Sequence, residues 1–155
     1  MIAMRLAALG FFASAAAHLL SFTPWATLVG EWTIWALEAG VFLLALWMIA
    51  RLRRRTGIRG QWGRVAIHDW RGLASAVPPG LRFLVIGAAL YAGTNFVMCL
   101  MVDADAVPRA AITLRMATGH LLFFYLVPLV FFGWVEPGRR GRAASTAHEQ
   151  EVRGA

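Results

Sequence analysis

Four long apolar stretches dominate the sequence and limit what the chain can fold into. They run from about 2 to 22, 32 to 50, 81 to 102 and 116 to 135. A helix needs about 20 apolar residues to cross a hydrocarbon layer about 30 Å thick, and each stretch is close to that length. The sequence therefore predicts an all-α integral membrane protein that folds as a four-helix bundle.

The composition excludes the main alternatives to a membrane protein. The chain has 155 residues, of which 59% are hydrophobic and 15% are charged. A soluble domain carries about 25% charged residues, and a core this small would leave much of the apolar surface in water. The single Cys99 also excludes a disulfide-stabilised scaffold.

The basic residues predict the orientation of the helices. All fifteen are arginine, and only Arg109 and Arg115 fall in the two loops on one side of the predicted membrane. The positive-inside rule assigns the side with the other arginines to the cytoplasm, so both termini are expected there. The use of arginine alone, with abundant alanine and glycine, is typical of a G+C-rich bacterial genome. We therefore expect a multi-pass protein of the bacterial inner (plasma) membrane.

The same charge distribution bears on partners. The net charge is +7, but no aromatic residues alternate with the arginines as a nucleic-acid platform would require, so no nucleic-acid partner is predicted. Anionic lipid is instead expected to contact Arg51–Arg55. In the cytoplasmic link 51–80, apolar residues at helical spacing favour a short amphipathic helix at the lipid headgroups over a structured loop. The tail 138–155 is predicted to be disordered.

The N-terminal stretch has two interpretations. Arg5 followed by an apolar run and Ala15–Ala17 resembles a signal peptide with a small-residue cleavage site. The apolar run continues through Phe22, however, and is then long enough to remain in the bilayer. Retention as the first membrane span is the favoured interpretation.

Each predicted span contains one costly polar residue, and the four are His18, Glu38, Asn95 and His120. At 1.5 Å per residue they lie about 6, 9, 10 and 8 Å below the extracytoplasmic edge of the membrane. Because two spans run inward and two outward, this agreement predicts one polar cluster near the outer face. Ser14 and Tyr91 share helical faces with His18 and Asn95 and are expected to support it.

We expect this cluster to bind a cofactor or a small polar ligand, and its best-specified version is a redox cofactor site. Two imidazoles at one depth on separate helices are what axial ligation of a b-type haem requires, so His18 and His120 are the candidate ligands. Arg115 lies about one turn nearer the interface and is a candidate partner for a haem propionate. Alternatively, His18, His120 and Glu38 are a candidate set for a first-row transition metal.

Two other interpretations assign the cluster no cofactor. In one, the chain is a non-catalytic membrane subunit whose polar residues fix helix packing or a partner interface. In the other, Glu38 and a neighbouring histidine relay protons in a transporter, which for four spans would require a homo-oligomer or a larger membrane complex. No paired nucleophile and base, phosphate-binding loop or HExxH motif is present, so the sequence predicts no enzyme class.

Overall fold

The structure is a computed structural model that describes residues 2–56, 77–103 and 107–135. Within these ranges the chain is helical and contains no strand. The long helices are α1 (Ile2–Leu20), α2 (Glu31–Thr56), α3 (Pro79–Met101) and α4 (Arg109–Val130), and a short π-helix, Phe131–Val135, follows α4. All four are long and apolar enough to cross a membrane. The predicted amphipathic helix and the predicted disordered tail lie outside the described residues.

The helix ends differ from the predicted spans at two places. Helix α4 begins at Arg109, ahead of the predicted span 116–135, as Pro108 in the sequence indicates for a helix that starts before its span. Proline fixes the backbone ahead of the first turn, and Arg109, Ala110 and Ala111 are strong helix formers. Helix α2 continues past 50 to Thr56, since arginine also favours the helix and the charged turns need no apolar partner.

Two loops lie at one end of the helices, which we call the Pro24 end. The first loop joins α1 to α2 and contains a 3-10 helix, Pro24–Leu28, and the second joins α3 to α4. The hydroxyl of Thr23 accepts a hydrogen bond from the amide of Trp25 at 3.3 Å and so caps the 3-10 helix. Because each loop connects one helix to the next, the ends of α1 and α3 and the starts of α2 and α4 all lie at the Pro24 end.

Helix α4 is the centre of the fold, and the other three helices pack around it. Half of the membrane-length segment of α4 is buried, whereas only 6% of that of α2 is buried. Large apolar side chains cover the outer surface, and Trp32 and Leu19 are 85% and 70% exposed. An apolar exterior of this kind is compatible with a surrounding hydrocarbon layer, in which exposed apolar side chains carry no hydrophobic cost.

Tyr125 holds three helices together at the core. Its side chain on α4 is only 3% exposed. The ring lies so close to Gly10 of α1 and Gly40 of α2 that a Cβ at either glycine would overlap the phenol. The hydroxyl donates a hydrogen bond of 2.7 Å to the carbonyl oxygen of Leu37 in α2. Membrane helices commonly associate in this way, because small residues let a large side chain of the neighbouring helix approach and a hydrogen bond joins the two helices.

Candidate functional site

The structure divides the four polar residues of the predicted spans between two sides of α4. Residues two positions apart on a helix project about 160° apart, which separates Thr118 from His120. Thr118 faces α1 and contacts His18, whereas His120 faces a groove that Glu38 of α2 also lines. The expected single cluster is therefore two separate sites.

The first site is a hydrogen-bonded network of His18, Tyr91 and Thr118, which we call the histidine network. The Nδ1 atom of His18 lies 2.9 Å from Oγ1 of Thr118, and its Nε2 atom bonds the hydroxyl of Tyr91. The network joins α1, α3 and α4 through one side chain that is 5% exposed. An imidazole with both nitrogens bonded is satisfied within the protein, as burial in an apolar layer requires.

The donors in the histidine network assign the tautomer of His18. Thr118 donates its hydroxyl proton to the carbonyl oxygen of Leu114 at 2.6 Å, so its oxygen accepts the bond from His18. The proton of His18 is therefore on Nδ1. Nε2 is then an acceptor, and the hydroxyl of Tyr91 donates to it.

Asn95 ties α3 to α4 beside the histidine network. Its side-chain amide donates a hydrogen bond of 3.0 Å to the carbonyl oxygen of Arg115. A Cβ at Gly119 would overlap this amide and would lie 3.0 Å from its Cγ atom. The glycine next to His120 therefore makes room for Asn95 at the crossing of the two helices.

Arg115 closes the Pro24 end of the α1–α4 contact. The centre of its guanidinium lies 3.9 Å above the ring of Phe22, and Nη2 donates a hydrogen bond of 3.1 Å to the carbonyl oxygen of Ser21. Its Nε atom and the hydroxyl of Ser14 are buried and have no hydrogen-bond partner within the described ranges. Arg115 thus contacts the end of α1, and Ser14 is a packing residue with no polar partner there.

These contacts do not bring the predicted metal or haem ligands together. Both nitrogens of His18 are already bonded, and His120 faces the other side of α4 with Nδ1 bonded to the carbonyl oxygen of Met116 at 2.7 Å. Across residues 2–56, 77–103 and 107–135, no group of three His, Cys, Asp or Glu side chains is placed to hold a metal ion. Haem on the two histidines stays a prediction and would require both side chains to move.

The second site is an open groove of about 760 Å³ between α2 and α4, with α3 contributing one wall residue. Most of its surface is apolar. The residues used below are Glu31, Trp35 and Glu38 from α2, Phe96 from α3, and Met116, His120 and Phe124 from α4. We call this surface the groove.

The polar groups of the groove are held differently from those of the histidine network. His120 donates from Nδ1 to Met116, since a carbonyl oxygen only accepts, and its ring meets Phe96 edge to face with centroids 5.1 Å apart. Its Nε2 atom is then an acceptor when the ring is neutral. The Glu38 side chain is exposed on α2 and has no hydrogen bond or ion pair with any described residue. A carboxylate without a partner is costly wherever it is surrounded by hydrocarbon.

Two residues that organise these sites were not identified from the sequence. A threonine hydroxyl within a helix can donate to the carbonyl oxygen four residues earlier, so a threonine such as Thr118 carries little signal in a sequence. Tyr125 resembles any other aromatic residue in an apolar span. The available signal was the pair of glycines within predicted spans, Gly10 and Gly40, because a helix interior disfavours glycine unless something must approach closely.

Comparison with known proteins finds no match to this chain among protein-family models, curated proteins or solved structures. The two sites differ in what they leave available. The histidine network has both nitrogens of His18 bonded inside the protein. The groove leaves the Glu38 carboxylate and the His120 Nε2 atom open to a bound molecule.

Proposed function

We propose that the chain is a multi-pass membrane protein that binds an amphiphilic small molecule in the groove. The apolar part of the molecule lies between α2 and α4, and its polar group meets Glu38 and His120. The observation that carries this proposal is that a carboxylate without a partner and an imidazole line the same apolar groove of about 760 Å³.

The shape and chemistry of the groove support this assignment. Ligand pockets have volumes of about 300–1,000 Å³, mostly apolar walls and a few polar groups that fix orientation. Phe96 and Phe124 supply aromatic walls on two different helices. A ligand that donates a hydrogen bond or carries positive charge would also offset the cost of leaving Glu38 unpaired.

The histidine network supports a structural role for the polar residues that do not line the groove. His18, Tyr91 and Thr118 satisfy one another across three helices, which matches the interpretation that polar residues fix helix packing. We assign this network to the scaffold that sets the position of α4, and hence of His120 in the groove.

We also propose the orientation that the arginines favour. Arg51 and Arg54 lie in the last turns of α2, at the end opposite the Pro24 end. If this arginine-rich end faces the cytoplasm at a bacterial inner membrane, the polar residues Glu31, Glu38 and His120 of the groove lie in the outer half of the bilayer. Glu38 would then be about 10 Å along the helix axis from Glu31 at the outer end of α2.

Binding in the groove is tested with N-phenyl-1-naphthylamine, a neutral aromatic probe that fluoresces in apolar surroundings. We expect saturable fluorescence from the purified full-length protein above that of protein-free micelles. Ala117→Phe places a ring in the groove, since Ala117 lines it, and should abolish the saturable part. Ala89→Phe is the matched control, because Ala89 is exposed on α3 and does not line the groove.

Two results would overturn the proposal. If the wild-type protein gives no saturable signal with this probe or with the organic cation used below, the groove is not a binding site. If Ala117→Phe binds the probe as tightly as Ala89→Phe does, the probe binds elsewhere on the protein.

A further inference from the structure

We infer that the groove selects lipophilic cations, such as an ammonium or phosphonium carried by an aromatic or aliphatic body. This inference rests on the proposed binding function and names the class of ligand. Its three supports are the charge of the groove, its aromatic walls and the hydrogen-bonding state of His120.

The charge of the groove is opposite to that of the chain as a whole. Glu31 and Glu38 are seven residues apart and therefore lie on the same face of α2, and both line the groove. None of the described lining residues is arginine, although the chain carries a net charge of +7. In a low-dielectric layer the Glu38 carboxylate attracts a cation more strongly than it would in water, and Glu31 at the outer end of α2 adds negative charge on the same side of the groove.

Aromatic faces border the two carboxylates. Trp35 lies between them on the same face of α2, four residues after Glu31 and three before Glu38. Phe96 of α3 and Phe124 of α4 form other walls of the groove. Carboxylates combined with aromatic faces are the usual recognition chemistry for organic cations, because the negative faces of the rings attract the charge while the body of the ligand stays in apolar surroundings.

The polar atoms that remain free are mainly acceptors. Met116 takes the Nδ1 proton of His120, which leaves Nε2 as an acceptor on the neutral ring. The hydroxyl of Thr113 and the indole N–H of Trp35 are the other polar side-chain groups of the lining. An anionic ligand would therefore meet two carboxylates and no permanent positive charge, whereas a cation meets complementary groups on α2 and α4.

Charge selectivity is tested with two ions of nearly the same shape, tetraphenylphosphonium and tetraphenylborate. Equilibrium dialysis of the full-length protein in detergent, corrected for protein-free micelles, should give saturable binding of the phosphonium and none of the borate. Glu38→Gln should weaken phosphonium binding by about tenfold or more, since a charged contact at this depth contributes at least about 1.4 kcal/mol. Glu38→Asp keeps the charge and should retain most of the affinity.

Two further variants separate the groove from general effects. Asp103→Asn makes the same change in net charge outside the groove lining and should leave phosphonium affinity unchanged. Glu31→Gln, at the start of α2, should weaken binding by about threefold, because its charge lies farther from the centre of the groove. This variant also keeps the test decisive if Glu38→Gln does not fold.

The outcomes distinguish the inference from the proposed function. Saturable borate binding as tight as that of the phosphonium, or unchanged phosphonium affinity in both folded glutamine variants, would overturn cation selectivity. If Ala117→Phe still abolished saturable binding of the naphthylamine probe, groove binding would stand without that selectivity. If neither the probe nor the phosphonium bound, both proposals would fail.

Discussion

Thr118 and His120 are two positions apart on α4 and face opposite sides of that helix. Thr118 bonds His18 of α1 at 2.9 Å, whereas His120 lines the groove next to α2. This offset gives α4 both of its roles, because one face fixes the scaffold and the other carries the candidate binding residues. Disturbing the first face should therefore affect the second only through the position of the helix.

The close contact of Gly10 with Tyr125 should make Gly10→Ala destabilising. The added methyl group would overlap a buried aromatic ring that has little room to move, and overpacking of this kind costs about 1–3 kcal/mol. The loss of helical circular dichroism in an SDS titration measures the free energy of unfolding. Gly87→Ala is the matched control, because nothing lies within 4 Å of a Cβ there. Equal stability of the two variants would contradict the close contact.

The histidine network predicts a specific proton position. Nitrogen NMR of labelled protein should show the proton of His18 on Nδ1 and not on Nε2, because Thr118 accepts and Tyr91 donates. Tyr91→Phe removes the donor to Nε2 and should reduce the free energy of unfolding by about 0.6 kcal/mol and by no more than about 1.7 kcal/mol, the average and the maximum for interhelical hydrogen bonds in a membrane protein. A proton on Nε2 in the wild-type protein would refute the assigned direction of the network.

Haem ligation has a direct spectroscopic test. Because both nitrogens of His18 are bonded and His120 faces away from it, protein produced with ample haem should show a bis-histidine haem spectrum only if both side chains rearrange. The Soret region of the detergent-purified protein provides the measurement. A Soret band that disappears in both His18→Ala and His120→Ala would show that the two side chains rearrange to bind haem.

The proposed orientation predicts which residues are accessible from outside the cell. In a Cys99→Ser background, Thr27→Cys lies in the loop at the Pro24 end, and Arg54→Cys lies near the other end of α2. A membrane-impermeant maleimide applied to intact cells should label the first cysteine and not the second. Labelling of Arg54→Cys alone would reverse the orientation.

Several features of the fold could be predicted from the sequence because they depend on local chemistry. The length of the apolar stretches, Pro108 ahead of α4 and the polar residue in each span are all readable without any contact between helices. Glu38 and His120 were identified in this way, and both line the groove. Their positions along the helix axes were also predictable, because helical rise is the same in every span.

The grouping of the polar residues was decided only by the tertiary structure. The rotation of each helix about its axis depends on side-chain packing, and Tyr125 against Gly10 and Gly40 sets that rotation for α1, α2 and α4. Depth alone placed His18 and His120 together, but Thr118, which bonds His18, and His120 face nearly opposite sides of α4. The sequence by itself determined which residues are costly in a membrane, and only packing decided which of them meet and which remain open to a ligand.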